Sequence, residues 1–212
     1  MHIIDLTHPI SPDMPVYPGT EPPVFILSCT IKTDGFEERQ ITLFSHTGTH
    51  LDAPSHIFPG GKTLDQLPVG HFSVRGVVLD ISADGKSTVG QDDLEPYREI
   101  VSASDFVLLC TGWSRLWGRD EYFVGFPVLS PAAAEWIAQF PLKGLGVDAI
   151  SVDAVGSTAF PVHKTLLQKD IVVIENLTNL KKLLDRQFQF HCFPLKITDG
   201  DGSPVRAVAI LE

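Results

Sequence analysis

Three of the chain's eight histidines and one aspartate fall within positions 46–56, in the run His46-Thr47-Gly48-Thr49-His50-Leu51-Asp52-Ala53-Pro54-Ser55-His56. Neutral imidazoles beside a carboxylate suit a first-row divalent metal such as zinc or manganese. Spacing decides whether these groups can meet. In an extended strand side chains alternate, so positions 46, 50, 52 and 56 share one face. A helix would align 46 with 50 but turn Asp52 away, and Gly48, two threonines and Pro54 all disfavour it. The expectation is a strand that runs into a loop and aims imidazole, imidazole and carboxylate at one point. Taken singly, each residue has an ordinary role: a histidine on the surface or satisfied in a core, an aspartate as cap or turn. Four of them at even parity in so short a run favour metal binding.

The surrounding elements must hold that stretch in place. Residues 2–6 are a short apolar run fit for a strand, and the proline-rich segment Ser11–Gly19 reads as an ordered loop. Residues 24–33 and 40–45 read as two strands around Asp34-Gly35, a strong hairpin turn, and the second strand leads to His46. Further strands are expected at 75–81, 105–111, 144–147, 171–176, 187–192 and 205–211. Positions 63–68 suggest a helical turn, and a short helix is expected after Thr88, with Thr88 or Asp92 as its cap. The clearest helix begins at Ser130-Pro131, where serine caps, proline occupies the first turn and three alanines propagate. His163 stands at the start of another, followed by a strand that ends at Glu175. Asp148, Ser151 and Asp153 are read as outer groups or caps rather than ligands.

Composition bounds what such a chain does. At 212 residues, 43% hydrophobic and 20% charged, it can bury an ordinary core as one domain over 1–212. A formal net charge of −10 argues against nucleic acid and anionic membranes as partners. Cys29, Cys110 and Cys192 show no paired spacing and fit buried thiols in a reducing compartment. The first residues carry no basic flank before an apolar segment, and the apolar runs are too short to span a bilayer, so a cytoplasmic protein is expected.

The run 46–56 resembles the HxGTHxDxPxH signature of the cyclase-like metal-dependent hydrolases, which include bacterial kynurenine formamidases; every fixed position is present. The resemblance extends to Tyr17-Pro18-Gly19, to His163 with Glu175 twelve positions later, to Pro194-Leu195-Lys196 and to Ser203-Pro204-Val205-Arg206, nearly the whole chain. It implies an α/β fold of the swivelling β/β/α type with a mixed sheet, often in a homodimer or homotetramer. It implies two divalent ions per chain, zinc first and manganese as the alternative. His46, His50 and Asp52 would hold one, and Asp52 would bridge to a second on His163 and Glu175. Tyr17 matches a family position, commonly tryptophan, against which substrate lies; on its residue type alone it is equally a surface aromatic. Phe44, Phe58 and Trp113 are further candidates to hold a substrate ring.

The chemistry implied is hydrolysis of an amide other than a peptide. Two dications among three neutral imidazoles and two carboxylates leave net positive charge, which acidifies bound water and polarises a carbonyl. His56, with an ordinary pKa of about 6.5, is left over as a proton shuttle from the attacking water to the leaving amine. The resemblance implies N-formyl-L-kynurenine as substrate, a step of tryptophan catabolism, with an isatin-like lactam or another cyclic or aryl amide as the alternative. A non-catalytic metal-binding protein is the contrasting class. A closed structural site has no use for a free histidine at 56.

Overall fold

A computed structural model describes residues 1–82 and 86–211. In chain order the strands are β1 (His2–Asp5), β2 (Val24–Cys29), β3 (Glu38–Thr42), β4 (His50–Asp52), β5 (Ser73–Asp80), β6 (Thr88–Val89), β7 (Phe106–Cys110), β8 (Val128–Leu129), β9 (Gly144–Val147), β10 (Val172–Glu175), β11 (Phe188–His191), β12 (Gly202–Pro204) and β13 (Val208–Leu211). The helices are α1 (Ile31–Asp34), α2 (Gln91–Leu94), α3 (Arg98–Ser102), α4 (Pro131–Ile137) and α5 (Pro161–Leu167).

Nine strands form one mixed sheet in the order β1-β13-β11-β5-β7-β9-β10-β4-β12. β5, β7, β9 and β10 run parallel at its centre, and antiparallel strands complete both sides. The central strands read as continuous apolar runs because both faces are covered. On β7, Phe106, Leu108 and Cys110 enter one core and Val107 and Leu109 the other. The second core holds α4 and α5, and that face also carries the site. Helix α4 starts as its sequence demands: Ser130 Oγ accepts from Ala133 N–H at 3.1 Å and Pro131 opens the first turn.

Two local expectations are corrected. The cap of α2 is Gly90, whose N–H donates to the Asp93 carboxylate at 2.7 Å, because Thr88 is drawn into the β6–β8 pair and Asp92 lies inside the helix. The β2–β3 hairpin forms, but its connection is wider than a two-residue turn. Thr30 caps α1, and the left-handed Gly35 (φ +81°) closes it before β3 begins. Cys110 and Cys192 are buried thiols, and burial pushes the Cys110 thiol up to about 12.

Candidate metal centre

The four polar positions of the run 46–56 do not lie on one strand. Gly48 takes a left-handed conformation (φ +66°), which breaks the extended run before it reaches β4. His46 therefore stands in the preceding turn, and His56 in a 3-10 turn that Pro54 opens. Only His50 and Asp52 keep the expected alternation, with Leu51 turned into the opposite core.

Strand register does the rest. β4 pairs antiparallel to β10 with His50 opposite Glu175 and Asp52 opposite Val173. Val173 points into the core that contains α5, so Glu175, two residues on, shares its side of the sheet. His50 and Asp52 face the same way, and α5 lays His163 over them. His50 Nε2 lies 3.2 Å from Asp52 Oδ1 and 3.6 Å from Glu175 Oε2. His163 Nε2 lies 3.4 Å from Asp52 Oδ2 and 3.3 Å from Glu175 Oε1. His46 Nδ1 lies 2.6 Å from Asp52 Oδ1. Beside a half-buried group of His46, His56 and Asp201, two deeper ligand sets result, His46–His50–Asp52 and Asp52–His163–Glu175, each group with its donor atoms within 4.8 Å of one another. The two deeper sets share Asp52, one oxygen toward each. Donors on one tetrahedral zinc stand roughly 3.3 Å apart given bonds of about 2.0–2.1 Å, so most of these separations fit a metal with little movement.

Every histidine of the two sets has its other ring nitrogen held from outside. His50 Nδ1 donates to Gly48 O at 2.8 Å, His163 Nδ1 to Asp153 Oδ2 at 2.7 Å and His46 Nε2 to Asp201 Oδ2 at 3.0 Å. Such outer partners fix the tautomer and aim of a ligating imidazole. The electrostatics follow the same geometry. Burial alone would lower His46, but Asp52 and then Asp201 outweigh it and raise the ring to about 9. Burial also opposes charge on His163, which Asp153, Asp52 and Glu175 nonetheless hold well above its ordinary value. Burial would raise Asp52, but His50 and His46 keep it well below the usual carboxylate range. His56 is lowered, chiefly by burial.

The centre opens into a cavity of about 240 Å³ bounded by Tyr17, His56, Ile150, Phe160 and Asn176 beside the ligand groups. That is just under the ~300–1,000 Å³ usual for small-molecule pockets. Tyr17 lines it while packing on the aromatic cluster around Tyr122 and Phe126. The other three ring candidates do not line it in this chain. Phe44 is 53% exposed beyond the end of β3, Phe58 packs on the core beneath α4 and α5, and the Trp113 indole is turned away to donate to Tyr122 O at 2.9 Å. Arg206 does not reach the centre either; it forks onto Asp5 at 2.9 and 2.6 Å.

Comparison with known proteins gives this geometry a family. Residues 4–154 match a family model described as "Putative cyclase". The chain belongs to this cyclase family. Among similar proteins, an uncharacterized protein of Methanocaldococcus jannaschii is 37% identical over 100% of both chains. The kynurenine formamidase of Salinibacter ruber is 31% identical, over 98% of this chain and 97% of its own. Isatin hydrolase A from Ralstonia solanacearum superposes with a TM-score of 0.88 at 28% identity, covering 100% of this chain and 92% of the other. The mixed α/β fold is thus that of the cyclase family.

The family signature does not contain all the residues that build the centre. Asp153 serves twice, accepting from the Val162 and His163 backbone at the start of α5, both at 3.1 Å, as well as from the His163 ring. Asn176, left-handed at φ +59°, donates to Gly48 O at 2.9 Å and accepts Thr49 Oγ1 on its own carbonyl at 2.6 Å, tying the turn before β4 to β10. Asp201 carries no local signal, since its partner lies 155 positions away.

Proposed function

We propose that the protein is a metal-dependent hydrolase of non-peptide amides, an arylformamidase that converts N-formyl-L-kynurenine to L-kynurenine and formate. The observation that carries this is His56. It stands beside both ligand sets, its ring 4.0 Å from that of His46 and 6.1 Å from that of His163, yet belongs to neither set that shares Asp52. In this reading His46, His50 and Asp52 hold one divalent ion, and Asp52, His163 and Glu175 a second, with zinc preferred and manganese the alternative. Metal held there supplies Lewis-acid polarisation of the formyl carbonyl and acidifies water.

The side chains do the rest. Burial keeps the His56 ring neutral at pH 7, ready to accept the proton of the attacking water. Water adds to the formyl carbon, the C–N bond breaks, and His56 returns the proton to the departing aryl nitrogen, leaving formate. Tyr17 and Phe160 offer flat apolar walls for the aryl ring. The kynurenine formamidase relatives support this substrate, and the likeness to isatin hydrolase supports a second reading in which a fused aryl lactam is opened by the same groups.

The same proposal takes the protein to be cytoplasmic and a homodimer or homotetramer. No helix among the described residues is long and apolar enough to cross a membrane. The β2–β3 arm exposes Val24, Ile26, Leu27, Ile31, Phe36 and Ile41, an apolar surface that its own chain leaves uncovered and a second copy can cover.

The test is protein stripped of metal, reloaded with zinc or manganese, and assayed on N-formylkynurenine and on isatin in parallel. Metal-dependent release of kynurenine is expected. Opening of isatin alone moves the assignment to the lactam, and turnover of neither by protein that has bound its metal overturns the enzymatic reading.

A further inference from the structure

Sheet pairing fixes the backbone of His50, Asp52 and Glu175, but it does not fix His46. His46 lies in the turn before β4, and its side chain is 23% exposed where those of His50 and His163 are 4% and 5%. Its ring must be set by what it touches, and it touches β12. A Cβ placed on Gly202 would sit 2.5 Å from His46 Cε1, 2.8 Å from Nε2 and 3.0 Å from Nδ1, so the ring packs directly on bare backbone. The neighbouring Asp201 accepts from Nε2 at 3.0 Å. Both residues are tied to β4: Gly202 pairs with Asp52, and Asp201 O accepts from Ala53 N–H at 2.9 Å.

The ring is also used the other way round from its neighbours. His50 and His163 turn Nε2 toward the carboxylates and have Nδ1 held, whereas His46 turns Nδ1 inward and has Nε2 held. A neutral imidazole that ligates through one nitrogen keeps its proton on the other. We propose that Asp201 and Gly202 form a seat that makes His46 a ligand through Nδ1. Gly202 supplies the space, and Asp201 is the positioning residue that selects the Nε2–H tautomer. The inference rests on the metal-centre reading above.

The test uses the full chain loaded with zinc and labelled with ¹⁵N. Long-range ¹H–¹⁵N spectra of the histidine rings give the tautomers, and competition with a chelator gives zinc affinity. In the native protein His46 should show a metal-bound Nδ1 and a protonated Nε2, opposite to His50 and His163. Asp201→Ala should erase the His46 pattern and weaken zinc by about 10–100-fold, as loss of such an outer partner does, with the His163 pattern intact. Asp201→Asn, whose amide oxygen still accepts from Nε2–H, should restore the pattern and most of the affinity. If Asp201→Ala does not fold, Gly202→Ala decides, because its methyl group must displace His46 while leaving His163 in place. An unchanged His46 pattern in that variant or in Asp201→Ala, or coordination through Nε2 in the native protein, overturns the seat alone. A native protein that takes up neither zinc nor manganese overturns the metal centre itself.

Discussion

Zinc uptake by this centre should release protons in a number that the geometry sets. Without metal, the positive charge facing Asp52 and Glu175 sits on the histidines. His46 is raised to about 9 and His163 stands well above its ordinary value. A zinc ligand must be a neutral imidazole. At pH 7 His46 lies about two pH units below its midpoint, so it is essentially all protonated, and removing that proton opposes binding by about 3 kcal/mol. The His46 ring therefore releases about one proton as its ligand set fills, and apparent affinity at that site should climb up to tenfold per pH unit between pH 7 and 9. His163, raised against its burial by Asp153, Asp52 and Glu175, adds to the release. Calorimetric titration of metal-free protein with zinc, in buffers that differ in ionisation enthalpy, reads the proton count directly. The sign extends to stability. Because the His46 midpoint is raised on folding, its pairing with Asp52 stabilises the metal-free protein fully below about pH 6.5 and is lost as pH rises through about 9. Release of less than half a proton at pH 7, or an affinity flat from pH 6.5 to 8.5, would refute this account of how the centre holds its charge.

Three further outcomes are expected. His56→Ala should cut turnover by roughly 10²–10⁴-fold, the usual worth of a positioned acid–base group, while atomic absorption finds the metal content unchanged. Tyr17→Ala should raise KM more than it lowers kcat, since the ring touches the cavity wall and not the reacting atoms. His8 stacks on Trp117 at 4.0 Å with its Nε2 buried and without a hydrogen-bond partner among the described residues, and burial lowers it to about 4. Its neutral form stabilises the fold above about pH 6.5, and up to about 3 kcal/mol is lost as pH falls toward 4. Thermal melts at pH 7 and 4.5 should show a smaller acid loss in His8→Phe.

The candidate ligand types were legible in the sequence because imidazoles and carboxylates in a short run have few other uses. Their geometry was legible only in part. Parity correctly placed His50 and Asp52 together, since period two survives wherever a strand is real. It failed for His46 and His56 because a left-handed Gly48 and a 3-10 turn at Pro54 bend the chain on either side of a three-residue strand. The strands around β5, β7 and β10 announced themselves as apolar runs, and Ser130-Pro131 marked its helix by capping chemistry alone. Long-range partners are a different matter. Nothing near Asp201 or Gly202 speaks of His46, and Phe44 and Trp113 look like binding aromatics until the fold turns one to the surface and the other onto Tyr122.

The placement of β4 between β10 and β12 has a consequence for how the protein is made. During synthesis the chain carries His46, His50 and Asp52 for more than a hundred residues before Glu175 exists, and longer still before Gly202 arrives to flank Asp52. A three-residue strand has too few ladder bonds to hold itself against a sheet that lacks both neighbours. For most of translation the first ligand set is therefore an open histidine-rich loop, free to pick up whichever ion is most abundant. A lasting hold on metal thus comes only at the end of folding, when both neighbours of β4 are in place.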